Sequence, residues 1–125
     1  MPMHWNKLLR LAETEVARAQ EKLPAEVREA AQECGVWYET IGDALESGED
    51  IEEDILGLFE GNSRLDPLPS GPEEMPRIRL FLDSPWEYAG QEEITFRREV
   101  RTTYLHELGH YLGWDEEQVE ALGLG

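Results

Sequence analysis

Only one cysteine, Cys34, occurs among the 125 residues, so no internal disulfide can form and the fold must rest on its apolar core. The same scarcity points to a reducing setting, the cytoplasm. Positive charge is also sparse: 11 Lys and Arg against 28 Asp and Glu give a formal charge of −17. Phosphate backbones are gripped by clustered Lys and Arg that displace counterions, so nucleic acid is a disfavoured partner, and an anionic membrane surface is disfavoured likewise. No apolar run is long enough to span a bilayer, and the opening from Met1 to Trp5 lacks a signal-peptide pattern. Lysine and asparagine are scarce beside arginine and glutamate, a balance shared with thermophilic proteins. The length suits one domain with a modest core, not two full lobes.

Histidine is rare as well, with three in the chain, and two of them share one short segment. Residues His106 to Glu116 read HELGHYLGWDE. On a helix, His106 and His110 are four residues apart and project from one face, so both imidazoles can reach one metal ion. Glu107 is offset around the helix, near enough to handle a metal-bound water without being a ligand. In a chain this rich in Glu, an accidental H-E-x-x-H has a probability on the order of 1%. The third histidine, His4, lies far away in sequence. Zn2+ is the ion this donor set implies, and peptide-bond hydrolysis the reaction it serves.

Ile94, Val100, Tyr104, Leu105, Leu108 and Leu112 recur at helical spacing and predict a helix from about Glu92 to Leu112 with a buried stripe. The histidine face also carries Thr103 and Glu99. Gly113 ends the helix in a left-handed cap and turns the chain back towards the imidazoles. Catalytic zinc needs a third protein ligand, and Asp115, Glu116 and Glu117 are the carboxylates within reach. Asp115 has a competing role as N-cap of a helix from Asp115 to Leu122, with Gln118 three residues on. Glu116 has no such obligation and is the preferred ligand, with Asp115 the alternative.

The pattern H-E-x-x-H-x-x-G-x-x followed by Glu116 resembles the metzincin metallopeptidases. It is more similar still to the small bacterial zincin-like, minimal metallopeptidases, a likeness that extends to Leu56–Gly61 and to Arg77–Tyr88. An Asp commonly stands at the third-ligand position of that family, whereas Glu116 stands here. The resemblance implies a minimal zincin-like domain over residues 1–125, zinc as cofactor and a peptide or protein as substrate. A related run occurs in YbeY-type endoribonucleases, but those lack a glutamate after the first histidine and end on a third histidine. Glu107 and the acidic charge argue against that reading. The remaining alternative is a zinc-binding or interaction protein without turnover.

The rest of the chain reads as α+β. Trp5, Leu8, Leu9, Ala12, Val16 and Ala19 predict an amphipathic helix to about Lys22; Pro24 opens a second, which Gly35 stops. Val36–Ile41 is β-prone, residues 42–54 form a solvated acidic loop leading to a helical turn, and residues 55–59 belong to the core. Residues 61–76, with Pro67, Pro69, Pro72 and Pro76, form an irregular loop that can border a cleft. Arg77–Leu82 alternates, with Ile78, Leu80 and Leu82 on one face and Arg77, Arg79 and Phe81 on the other. This predicts an edge strand near 77–82. In zincins such an edge binds an extended peptide by backbone pairing. Its arginines equally suit edge protection or pairing with acids. Arg97, Arg98 and Arg101 are read as ion-pair partners of nearby Glu. Tyr88, Tyr104 and Tyr111 are available as oxyanion stabilisers by residue type alone and none is assigned, since Tyr104 and Tyr111 lie in or near the apolar stripe; Trp86 and Trp114 are read as packing residues.

Overall fold

The computed structural model describes residues 5–121, with the side chains of Tyr88, Glu116 and Val119 outside that description. Helix α1 (Trp5–Glu21) buries Leu8, Ala12, Val16 and Ala19, whose spacing of four, four and three puts them on one face. Pro24 precedes α2 (Ala25–Ala31), donating no N–H where a helix needs none. That helix ends at Ala31, and Gly35 opens strand β1 (Gly35–Glu39) instead of stopping a longer helix. Ile41, expected to end the strand, starts α3 (Ile41–Glu46), because the Thr40 side chain accepts the Asp43 N–H at 3.1 Å as an N-cap. The Asp83 carboxylate accepts the Ile41 N–H at 2.8 Å, fixing the same helix start from across the fold.

Strands β2 (Gly57–Glu60) and β3 (Arg77–Phe81) complete a three-stranded sheet of order β1-β3-β2. β1 runs parallel to β3 with Val36 opposite Ile78, and β2 antiparallel with Leu58 opposite Arg79. The α+β class holds, but β3 is the central strand and the expected edge near 77–82 is corrected. Alternation reports faces, not edges: Ile78 and Leu80 face the core, while Arg79 is only 8% exposed because glutamates of both neighbouring strands close around it. The segment 55–59, expected in the core, is half-buried apart from Gly57. The 61–76 loop is irregular save for one 3-10 turn at Pro72–Glu74.

After α4 (Asp83–Tyr88) comes α5 (Glu93–Leu112), within a residue of the expected span. It packs on α1 along one flank and on β2 and β3 along another, so its buried arc is wide. Phe96, Val100, Tyr104, Leu105, Leu108, Tyr111 and Leu112 fill it. Ile94 leaves the expected stripe and is 62% exposed, while Phe96, two residues on, meets Trp86 edge-on with ring centroids 5.6 Å apart. Burying one such large side chain is worth roughly 2 kcal/mol, so the helix carrying the histidines is held by its apolar flanks. A short α6 (Glu116–Glu120) follows. Among the described residues, no helix is long and apolar enough to cross a membrane.

Candidate metal centre

Gly113 closes α5 at φ 73°, a left-handed conformation that a Cβ would strain, and its N–H bonds the His110 carbonyl at 3.1 Å. The Leu65 side chain occupies the space a Cβ would take there. One turn earlier, His106 and His110 stand side by side with ring centroids 5.3 Å apart, their planes at 78°. The Glu107 carboxylate lies 3.9 Å from His110 Nε2. His106, Glu107 and His110 each offer a ligand atom, all within 4.8 Å of one another. The two imidazole nitrogens are donors that zinc takes, and the Glu107 carboxylate stands beside them as the acid–base group that a hydrolytic zinc site needs, so the residues fit that ion. His110 is 52% exposed and Glu107 14%, so the site opens to solvent on the histidine side while the carboxylate is sheltered.

The site is bordered by β2. Gly57 sits on Thr103, a residue of the histidine face, and the Phe59 ring lies 6.1 Å from that of Tyr111. Strand and helix therefore run in the same general direction past the cluster. Beyond β2 the loop continues along α5: the Arg64 N–H bonds the Tyr111 carbonyl at 2.8 Å, and Leu65 rests on Gly113. The role of β2 escapes sequence reasoning; its one available signal is the glycine set between apolar residues in Leu56–Phe59.

Asp115 acts as the expected N-cap. Its Oδ1 accepts the Gln118 N–H at 2.9 Å, while the Gln118 side-chain oxygen accepts the Asp115 N–H at 3.0 Å, a reciprocal capping box. Asp115 is absent from the His106–Glu107–His110 cluster, Glu117 is exposed, and the Glu116 side chain lies outside the described residues.

Tyr104 is fully buried, its hydroxyl accepting from Gln20 at 2.9 Å, and burial raises its pKa. The Tyr111 hydroxyl donates to Glu33 at 3.3 Å; burial and that carboxylate raise its pKa too. Both hydroxyls are engaged away from the histidines. The Tyr88 side chain lies outside the described residues. Trp86 and Trp114 pack against the core. Arg77 pairs with Glu60 at 3.1 Å and Arg97 with Glu15 at 3.6 Å, so these arginines serve acids of the chain itself.

A family model described as zincin-like metallopeptidase matches residues 31–125, a span that takes in the whole sheet, the proline-rich loop and the histidine helix but leaves out α1. No curated protein matches the chain.

Proposed function

Since the chain belongs to the zincin-like metallopeptidase family, we propose that it hydrolyses peptide bonds at a zinc ion held by His106, His110 and Glu116, with Glu107 as general base. The single observation carrying this reading is the cluster of His106, Glu107 and His110 on one face of α5, with ligand atoms all within 4.8 Å of one another. When bound, zinc supplies Lewis acidity that polarises a carbonyl and lowers the pKa of a water. Glu107 accepts the proton of the attacking water at its carboxylate and returns it to the departing nitrogen, so the protonation balance closes on one residue. Its carboxylate stands 3.9 Å from His110 Nε2 and is 14% exposed, a sheltered position suited to that role.

The peptide lies along β2. Phe81 N–H bonds the Leu56 carbonyl, so the pairs 56–81 and 58–79 face inward and Gly57 and Phe59 turn their N–H and C=O outward to the open edge. Those groups pair with an extended substrate beside the histidine face, the role first expected of β3. The whole chain acts as one zincin-like domain, in the cytoplasm, on peptide or protein substrates.

Glu107→Gln tests the assignment. It should retain about one zinc per chain while hydrolysis of a peptide library falls by at least about a hundredfold; His106→Ala should lose the metal. Undiminished hydrolysis by Glu107→Gln, or a wild type that takes up no zinc, overturns the reading and leaves the non-catalytic alternative.

A further inference from the structure

Residues 62–75 hold apolar side chains in water beside the histidine helix. Leu65 is 77% exposed, Leu68 91% and Met75 53%. A slack loop would fold such groups inward, but this one is stapled. Asn62 N–H bonds the Glu74 carbonyl at 2.8 Å, Ser63 N–H bonds Asp66 Oδ2 at 2.9 Å, and the Ser70 N–H and hydroxyl both bond Glu74 Oε1 at 2.9 Å. The Arg64 N–H ties it to α5. Rigid display of apolar groups lowers the ordering cost of binding, and clustered exposed apolar surface marks an interaction site.

Direction follows from the contacts along α5. Gly57 rests on Thr103, Phe59 reaches Tyr111 and Leu65 rests on Gly113, so His106, Glu107 and His110 fall between the start of β2 and the loop. A peptide paired antiparallel to β2, the more stable sense of pairing, has its amino-terminal part over the loop. The same loop lines a cavity of about 430 Å³, among Asn62, Arg64, Asp66, Leu68, Met75 and Tyr111, with Glu33 also on its wall. Its leucine, methionine and prolines suit an apolar side chain.

We propose that this loop sets substrate choice by taking an apolar side chain, of leucine or phenylalanine size, from the amino-terminal side of the cleaved bond. The inference rests on the peptidase reading, and two readouts keep them separable. A library of random short peptides is incubated with the zinc-loaded wild type, and cleavage sites are aligned by mass spectrometry. The same peptides are bound to zinc-loaded Glu107→Gln, with and without Leu68→Asp and Met75→Asp. Both loop residues are exposed, so the fold survives the changes. The expected result is enrichment of Leu, Met or Phe on the amino-terminal side of the cut. Binding of the enriched peptides should weaken by about tenfold or more in the loop variants. Cleavage without that enrichment, or binding indifferent to both substitutions, overturns the loop assignment and spares the peptidase. Selective binding lost in the variants, with no cleavage by the wild type, overturns the peptidase and with it the placement relative to a cleaved bond, leaving the loop as a peptide-binding element only. Neither binding nor cleavage overturns both.

Discussion

A Cβ built on Gly57 would stand 2.6 Å from Thr103 Cγ2, so the edge strand touches the histidine face of α5 as closely as a glycine allows. The Arg79 carbonyl, at 3.2 Å, blocks retreat towards β3. Gly57→Ala must therefore push β2 off the helix, at a cost of about 1 to 3 kcal/mol for overpacking. Thr103→Ser removes the opposing methyl and should restore part of that loss in the double variant. Urea midpoints of the four proteins measure it; equal midpoints for wild type and Gly57→Ala would show that the contact is slack.

Arg79 joins all three strands. Its guanidinium takes both oxygens of Glu39 at 2.7 Å, both of Glu49 at 2.6 and 2.8 Å, and one of Glu60 at 3.1 Å, while lying 5.1 Å over the Phe81 ring. Arg79→Leu leaves three carboxylates facing one another across the sheet. Because those glutamates are 26–36% exposed, the expected loss is about 2 to 4 kcal/mol, below that for a fully buried pair. Arg79→Lys keeps the charge but not the fork and should fall between. Hydrogen bonds from Arg79 hold the Glu49 carboxyl below its ordinary value of 4.5. A carboxyl depressed in the folded state contributes stability that is complete above 4.5 and is lost as pH falls through the folded value. The gap between wild type and Arg79→Leu should thus be widest near neutral pH and shrink on acidification below about 4.5, as read by unfolding at a series of pH values.

The histidine helix was readable because three local signals agreed on it: apolar periodicity, the His pair at four-residue spacing, and a glycine at the end. The Asp115–Gln118 capping box was readable for the same reason, since both partners lie within one turn. What escaped was long-range. Nothing in Arg77–Phe81 says that Glu39 and Glu60 flank it, so pairing of its arginines with acids stood only beside edge protection, and the strand's central place was missed. The shared face of Gly57 and Thr103, 46 positions apart in sequence, exists only once β2 lies on α5. Ile94 fitted the helical period but has no neighbour to cover it, and Phe96 took its place against Trp86.

Cys34 is 3% exposed, and burial pushes its thiol up to about 12. An unfolded cysteine ionises near 8.5, so at pH 8 the folded thiolate fraction is smaller by about a thousandfold. Alkylation by iodoacetamide should be slower by a similar factor in native buffer and become fast in denaturant. Prompt labelling of the native protein, followed by mass spectrometry, would show that the turn between α2 and β1 opens readily enough to expose the thiol.

The capping box separates the two candidate third ligands. Asparagine caps a helix as well as aspartate does, so Asp115→Asn preserves the bond to the Gln118 N–H while removing the charge. If Glu116 holds zinc, this variant keeps its metal and its helix, and Glu116→Gln lowers zinc affinity by at least about a hundredfold, beyond what loss of a supporting contact produces. Asp115→Ala then costs about 1 kcal/mol of stability through the lost cap, without loss of metal. Competition against a chelator, read alongside unfolding midpoints, distinguishes the effects. Zinc lost from Asp115→Asn and kept by Glu116→Gln would reverse the assignment, because a carboxylate that must leave its cap to reach the ion would be trading helix stability for coordination.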